Sequence, residues 1–303
     1  MFKGKKIGVL MGGTSEERGI SLKTGGAVLK ALIQRGYDAV AVDAGADLPA
    51  RLVSEKIDVA FIALHGRRGE DGCVQGMLEV MGIPYTGSGV QSSSLCMDKA
   101  AAKKIMSFHG IRTPEFEMSG PSGLKKLKPP VVVKPNSQGS AIGVTIVREK
   151  GRLKDAIAEA QRHCPAGFNA VLIERFIEGR EMTVSILNGR VLPVIEIKPK
   201  DGFYDFAHKY TKGLTDFIVP ARVNKVILKK TEKEALGAYN ALRCSGAARV
   251  DVMLDDKGAA YVLEVNTVPG LTEMSLFPRA AEIAGMDYPA LVEAMLESAG
   301  LDK

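Results

Sequence analysis

The chain has 303 residues, of which 46% are hydrophobic and 25% charged, the composition of a folded globular protein with room for two or three cores. Its net charge of +6 suits anionic ligands, yet only 6% of residues are aromatic, Trp is absent and the basic residues are scattered, so a nucleic-acid groove is not expected. Cys73, Cys96, Cys164 and Cys244 lie far apart in sequence and His65, His109, His163 and His208 show no paired metal spacing, which argues against zinc and against a disulfide framework. No long apolar run opens the sequence, so neither a signal peptide nor a membrane span is expected, and a cytoplasmic location follows.

The first third alternates strands and helices: Ile7 to Leu10, a helix from about Ser21 to Arg35, Ala39 to Val42, Val59 to Leu64, and a helix from Val74 to Met81. That order predicts an α/β unit with a parallel sheet, whose ligands sit beyond the carboxyl ends of the strands. Those ends carry Gly12-Gly-Thr-Ser-Glu-Glu-Arg18 and His65-Gly-Arg-Arg-Gly-Glu-Asp-Gly72. A small-residue crossing, Gly87 to Ser94, leads to a helix from Asp98 to His109 and marks the first boundary. A β-rich unit follows, with Val131 to Lys134, Gly143 to Val147, a helix from Arg152 to His163, and Val171 to Phe176. The predicted division is therefore 1–96, 97–178 and 179–303. Lys198 to Gly213 lacks periodicity and reads as a long loop, a length that in compact domains suits a lid.

Lys134 ends a wholly apolar strand and is followed by Pro-Asn-Ser-Gln-Gly139-Ser140-Ala-Ile-Gly143, whose glycines allow backbone N–H groups to turn toward an anion. The spacing is neither that of a P-loop nor that of a dinucleotide fingerprint, and it lacks the Gly-x-Ser-x-Gly of a nucleophile elbow, so Ser140 reads as a hydrogen-bonding group. Ala248 to Gly270 reads as a hairpin turning at Asp255-Asp-Lys-Gly258. A turn centred between Asp256 and Lys257 puts Val250, Val252 and Leu254 on a core face with Tyr261 and Leu263. Arg249, Asp251, Glu264 and Asn266 collect on the opposite face, where two carboxylates and an amide offer hard oxygen ligands for Mg²⁺.

Taken together, these segments place the chain close to a known family. Gly12 to Arg18, Ala63 to Gly66 with Gly69 to Gly72, Gln75 to Gly89, Met97-Asp-Lys99, Val133-Lys-Pro135, Phe203 to Tyr210, Arg249 to Leu254 and Glu264 to Thr272 stand in the order of the D-alanine–D-alanine ligases, which the chain resembles over nearly its whole length. The resemblance implies a three-domain ATP-grasp architecture, α/β with α+β character. It implies ATP as co-substrate, two Mg²⁺ ions with Mn²⁺ as an alternative metal, and a homodimer that needs neither nucleic acid nor membrane.

Residue by residue, the resemblance implies Lys99 and Lys134 on the α and β phosphates, adenine against Glu174, Arg175, Phe176 and Ile177, and Glu181 on the ribose. Asp251, Glu264 and Asn266 would hold the metals, and Lys209 would neutralise the transferred phosphoryl group. Glu17 would take the ammonium of the first D-alanine beside His65. Ser275 and the main chain of Leu276 would take the carboxylate of the second. Arg249 and the Gly270 N–H would hold the tetrahedral oxyanion. Tyr210 on the loop would close a link through Ser140 to Glu17 and favour an amine as second substrate. The implied activity is ligation of two D-alanines through an acyl phosphate, for peptidoglycan precursor synthesis. Ligases that use D-serine or D-lactate second, or a silent nucleotide-binding module, are the alternatives. Val268, where many relatives have Ser, and Arg67-Arg68 depart from the family pattern.

Overall fold

The computed structural model of the chain describes residues 2–120, 124, 126–164, 170–200, 211, 213–272 and 275–303. The expected roles of Lys209 and Tyr210 lie outside the described residues, as does most of the expected lid.

Three sheets organise the chain. In the first, β1 (Lys6–Met11), β2 (Asp38–Asp43) and β3 (Val59–Ile62) are parallel in the order β2-β1-β3. The crossovers are α1 (Arg18–Gln34) and α2 (Leu48–Ser54). With β1 in the middle, the chain leaves it to one side for β2 and returns on the other side for β3. The gap beyond β1 and β3 is therefore the switch point at which open α/β sheets bind ligands. The loops that follow these two strands carry Glu17 and His65.

The second sheet is antiparallel, β4 (Phe116–Met118), β7 (Val171–Arg175), β5 (Val131–Pro135) and β6 (Thr145–Val147), with α6 (Leu153–Arg162) against it. The third runs β11 (Thr215–Ile218), β10 (Ile195–Pro199), β8 (Gly179–Leu187), β12 (Ala247–Asp255) and β13 (Ala260–Asn266), with β9 (Arg190–Val191) on β8. Helix α7 (Lys225–Ala241) covers its core face and is capped by the Asn224 side chain, which accepts from the Ile227 N–H at 2.9 Å.

The structure departs from the sequence reading at several points. The crossing from Gly87 to Ser94 enters a helix, α4 (Val90–Met97), whose buried Ser92 meets Cys244 of the third unit and whose buried Ser93 bonds the Ser88 carbonyl. Helix α5 (Lys99–Phe108) packs its Ala102 and Met106 into the core of the third sheet, beside Cys96 of α4. Cys96 and Cys244, distant in sequence, bring their sulfurs to 3.8 Å. The presumed loop from Lys198 begins inside strand β10.

The hairpin is the most instructive correction. Leu254 pairs with Ala260 and Val252 with Val262, one residue out from the expected register, because the turn runs from Asp255 to Ala259. The buried partners of Val250, Val252 and Leu254 are thus Ala260, Val262 and Val265, and Tyr261 and Leu263 face the other way. A bulge between Asp251 and Val252 then shifts the register again, with Leu263 as the extra residue, so that Asp251 pairs with Glu264 and Arg249 with Asn266. The two shifts together make one full period of two. The polar face forms as expected although the turn does not.

Candidate active site

Two chambers meet at this hairpin. The first lies between the second and third sheets and is lined by apolar surfaces from Val132, Ile142, Val144, Phe176, Ile177, Met253 and Leu263. Leu263 reaches it because of the shifted turn, and the bulge keeps Glu264 on the same side. The chamber's charged groups are Lys99, Lys134, Glu174, Arg175, Glu181, Asp251 and Glu264. The Arg175 guanidinium carbon sits 5.6 Å from the centre of the Tyr261 ring, tying β7 to β13 across the chamber mouth.

The lysines are fixed by a small backbone device. Asp98 caps α5 by accepting from the Ala101 N–H at 2.9 Å, and Asn136 donates to the same Asp98 oxygen at 2.8 Å. Asn136 also accepts from the Ala100 N–H at 2.9 Å, and its carbonyl accepts from the Lys99 N–H. Since Asn136 follows Lys134-Pro135, this network locks the start of α5 to the end of β5 and sets both lysines on one chamber. Lys99 pairs with Glu264 at 3.1 Å and donates to the Gln138 carbonyl at 2.8 Å. Lys134 donates to Glu174 at 2.6 Å, and the second oxygen of Glu174 is 2.9 Å from Lys103, which is wholly buried. Burial pushes the Glu174 carboxyl up, but the two lysines outweigh it and hold it below the ordinary value. Burial outweighs the pull of Glu174 on Lys103 and lowers that ammonium to about 8.

The second chamber contains Glu17, His65, Glu70, Ser140, Arg249, Asn266, Gly270, Ser275 and Leu276 and shares Asp251 and Glu264 with the first. Ser140 donates to Glu17 Oε1 at 2.6 Å, while Glu17 Oε2 is buried with no hydrogen-bond partner among the described residues. An orphaned carboxylate oxygen of this kind is an acceptor held for a cationic donor. Ser140 and Ala141 both take left-handed backbone, at φ 55° and 58°, although neither is glycine. Such strain costs of order 1–3 kcal/mol per residue and concentrates at functional loops.

His65 is held by Thr24 Oγ1 at 3.1 Å from Nε2, and burial, then the charge of Arg249, lowers it to about 4, so the ring is neutral near pH 7. Glu70 accepts from the Gly66 N–H at 2.9 Å, and burial, then the charge of Glu17, raises its carboxyl to about 8. Glu70 therefore carries a proton where a second carboxylate would repel.

Arg249 grips Asp251 in a two-point contact, Nε to Oδ1 at 2.9 Å and Nη2 to Oδ2 at 2.8 Å, and Thr183 donates to Oδ1 at 2.7 Å. Asp251 and Glu264 are direct cross-strand partners, and each is neutralised by its own cation, Arg249 or Lys99. The Asn266 side-chain oxygen accepts from the Val268 N–H at 3.0 Å. Two opposed carboxylates and an amide oxygen fit Mg²⁺, which takes one or two carboxylates and leaves other positions to phosphate and water. Ser275 spends its hydroxyl on the Thr272 N–H at 3.1 Å rather than capping α8 (Leu276–Ile283), so the helix start can meet an anion. A Cβ on Gly270 would stand 3.0 Å from Ser275 Oγ.

Every expected site residue among the described ones therefore lines one chamber or both. Glu70, Asn136 and Lys103 are not singled out by the sequence reading. Glu70 stands inside the Gly69-Glu-Asp-Gly72 motif, and Lys103 is one turn beyond Lys99 on the same helix face, a spacing that marks it. Arg67 and Arg68 are exposed and line a separate cavity behind His65.

Two sheets closing on a cleft with paired lysines, and an acidic hairpin opening into a second chamber, define a ligase of ATP-grasp architecture. Comparison with known proteins narrows the class. The D-ala D-ala ligase C-terminus family model matches residues 104–297 and the corresponding N-terminus model matches residues 46–88. The D-alanine–D-alanine ligase of Syntrophotalea carbinolica is 49% identical over 302 residues, covering 99% of this chain and 97% of its own. That of Geobacter sulfurreducens is 48% identical, covering 99% and 96%. Among solved structures, a Bacillus anthracis D-alanine–D-alanine ligase superposes with a TM-score of 0.86 at 39% identity, covering 97% of both chains, and its ATP complex with 0.83. The VanG D-Ala:D-Ser ligase of Enterococcus faecalis gives 0.81 at 29% identity, covering 97% of this chain and 98% of that one. The chain belongs to the D-alanine–D-alanine ligase family.

Proposed function

We infer that the chain joins two D-alanine molecules at the expense of ATP, releasing ADP and phosphate, and so supplies the dipeptide for peptidoglycan precursors. The observation that carries this reading is the Asp251–Glu264 pair, which stands in both chambers at once. A phosphoryl group handed from a nucleotide in the first chamber to a carboxylate in the second must pass this point.

In this mechanism the base lies in the apolar slot against Glu174, Arg175, Phe176 and Ile177, with Glu181 on the ribose and Lys99 and Lys134 on the phosphates. Asp251, Glu264 and Asn266 hold Mg²⁺, with Mn²⁺ as a substitute; the bound metal supplies charge neutralisation between two anions. Glu17, fixed by Ser140, takes the ammonium of the first D-alanine beside neutral His65 and aims its carboxylate at the γ phosphate. The resulting acyl phosphate is attacked by the amine of the second D-alanine, whose carboxylate rests on Ser275 and the start of the helix at Leu276. Arg249 and the Gly270 N–H hold the oxyanion; removing one such donor typically costs about 2.7 to 4 kcal/mol. Lys209 and Tyr210, which lie outside the described residues, complete the proposal.

The units 1–96, 97–178 and 179–303 are proposed to bind amino acid, nucleotide and metal in that order, the three sheets supporting the division although α5 packs on the third. A homodimer is proposed and is tested by light scattering. No described helix is long and apolar enough to cross a membrane, in keeping with a cytoplasmic site of action.

Phosphate release with ATP, Mg²⁺ and D-alanine, alone or with D-serine or D-lactate, tests the reading when products are identified by mass. D-alanyl-D-alanine formed in step with phosphate supports it. A mixed product formed in preference would move the second substrate to D-serine or D-lactate.

A further inference from the structure

Lys103 is among the largest fully buried side chains of the protein and does not line either chamber. Its ammonium donates to Thr113 Oγ1 at 2.6 Å, lies 5.9 Å from the centre of the Phe116 ring, and stands 2.9 Å from Glu174 Oε2. That approach is off the hydrogen-bond direction, since Oε2 is buried without a hydrogen-bond partner among the described residues. Glu174 Oε1 is taken by Lys134 at 2.6 Å. One carboxylate at the wall of an apolar slot thus serves two lysines, of which only Lys134 faces the ligand.

A buried carboxylate stripped of one cation is costly unless another remains. When Lys134 turns from Glu174 to a phosphate, Lys103 is the cation that stays. A charged carboxylate is acceptor-only, whereas a protonated one also donates. Oε1 of the ionised carboxylate, released by Lys134, then matches a base edge that presents an amino group and rejects one that presents a carbonyl.

We propose that Lys103 is a positioning residue for the nucleotide: it keeps Glu174 ionised and in place when Lys134 engages phosphate, and thereby makes the slot select a 6-amino over a 6-oxo purine. The inference rests on the reading of the first chamber as the nucleotide site. It assigns to a residue outside the chamber part of the choice of base made within it.

ATP and inosine triphosphate, which differ at that edge, are the probes. With D-alanine and Mg²⁺ saturating, Lys103→Met is expected to raise KM for ATP about tenfold with kcat little changed, and to lower the ATP to inosine triphosphate ratio of kcat/KM about tenfold. In a Glu174→Gln background, which already lacks the acceptor-only carboxylate, Lys103→Met is expected to leave that ratio unmoved. Thr113→Val, a milder change that loosens the ammonium without removing it, is expected to shift the ratio in the same direction by less. It carries the test should Lys103→Met not fold. A ratio unchanged in both single variants, or an equal loss for both nucleotides, overturns the proposal, as a purely structural ion pair would give that result. Absence of ATP turnover by the unaltered protein would instead overturn the nucleotide reading, and the proposal with it.

Discussion

His65 offers a prediction in which the structure sets both sign and size. Burial, then Arg249, lowers the ring to about 4 from an ordinary 6.5. Below 6.5 the unfolded chain takes up a proton that the folded chain refuses until about pH 4, so folding stability is lost as pH falls through this window. The gap of ~2.5 units, at about 1.36 kcal/mol each, amounts to about 3 kcal/mol. Glu70 works in the opposite sense, since its folded value near 8 lies above 4.5 and its contribution is complete in acid and lost as pH rises through 8. Comparing the protein with His65→Gln cancels the Glu70 contribution, which both share. At neutral pH the variant is expected to melt lower, through lost packing and the lost contact to Thr24. On acidification toward pH 4.5 that deficit should close by about 5 °C, taking roughly 2 °C per kcal/mol for a chain of this size. Scanning calorimetry of both proteins across pH is the assay. A melting difference independent of pH would refute the reasoning, because a histidine charged in the folded state would not titrate differently on unfolding.

Other expectations follow from single contacts. Gly66 has φ +71°, and a Cβ there would stand 2.8 Å from Glu17 Oε2. Gly66→Ala should therefore cost about 1–2 kcal/mol from backbone alone and raise KM for the first D-alanine while sparing KM for ATP, as steady-state kinetics would show. Ser140→Ala removes the donor to the Glu17 carboxylate and should lower kcat/KM for D-alanine by about 1.5 to 3 kcal/mol of transition-state binding; an unchanged value would mean that Ser140 does not orient Glu17. Asp251→Asn and Glu264→Gln should each lower turnover more than about 100-fold and raise the Mg²⁺ concentration for half-maximal rate, while chelation should abolish turnover and added Mg²⁺ restore it. Metal titrations that overlay those of the unaltered protein would remove these residues from the metal site.

Much of the site is legible because its chemistry is local. Asp251 and Glu264 are assigned to one face by parity, and parity survived a turn misplaced by one residue only because the bulge at Leu263 added another. Tyr261 and Leu263 show the limit: their side chains were expected in the core, and neither the one-residue turn shift that sends Leu263 into the first chamber nor the bulge that keeps Glu264 beside it has a signature in the local pattern. The Cys96–Cys244 approach joins residues 148 apart, which no spacing rule reaches. Strand β8 does alternate, with Met182, Val184 and Ile186 buried in the core while Thr183 reaches Asp251, yet its place between β10 and β12 comes from long-range pairing. Asn136 acts by linking elements, a role that depends on where β5 and α5 end up, and the spacing that marks Lys103 does not reveal its partner Glu174, which comes from a different strand.

The central claim is that a carboxylate in the second chamber attacks the γ phosphate of a nucleotide in the first, past Asp251 and Glu264. D-alanine labelled with ¹⁸O in its carboxyl group tests it most directly, with the released phosphate examined by mass. Formation of an acyl phosphate predicts that each phosphate carries one labelled oxygen, in step with dipeptide. Phosphate without label alongside dipeptide would contradict the account, because the oxygen lost in forming the peptide bond would then have left by another route.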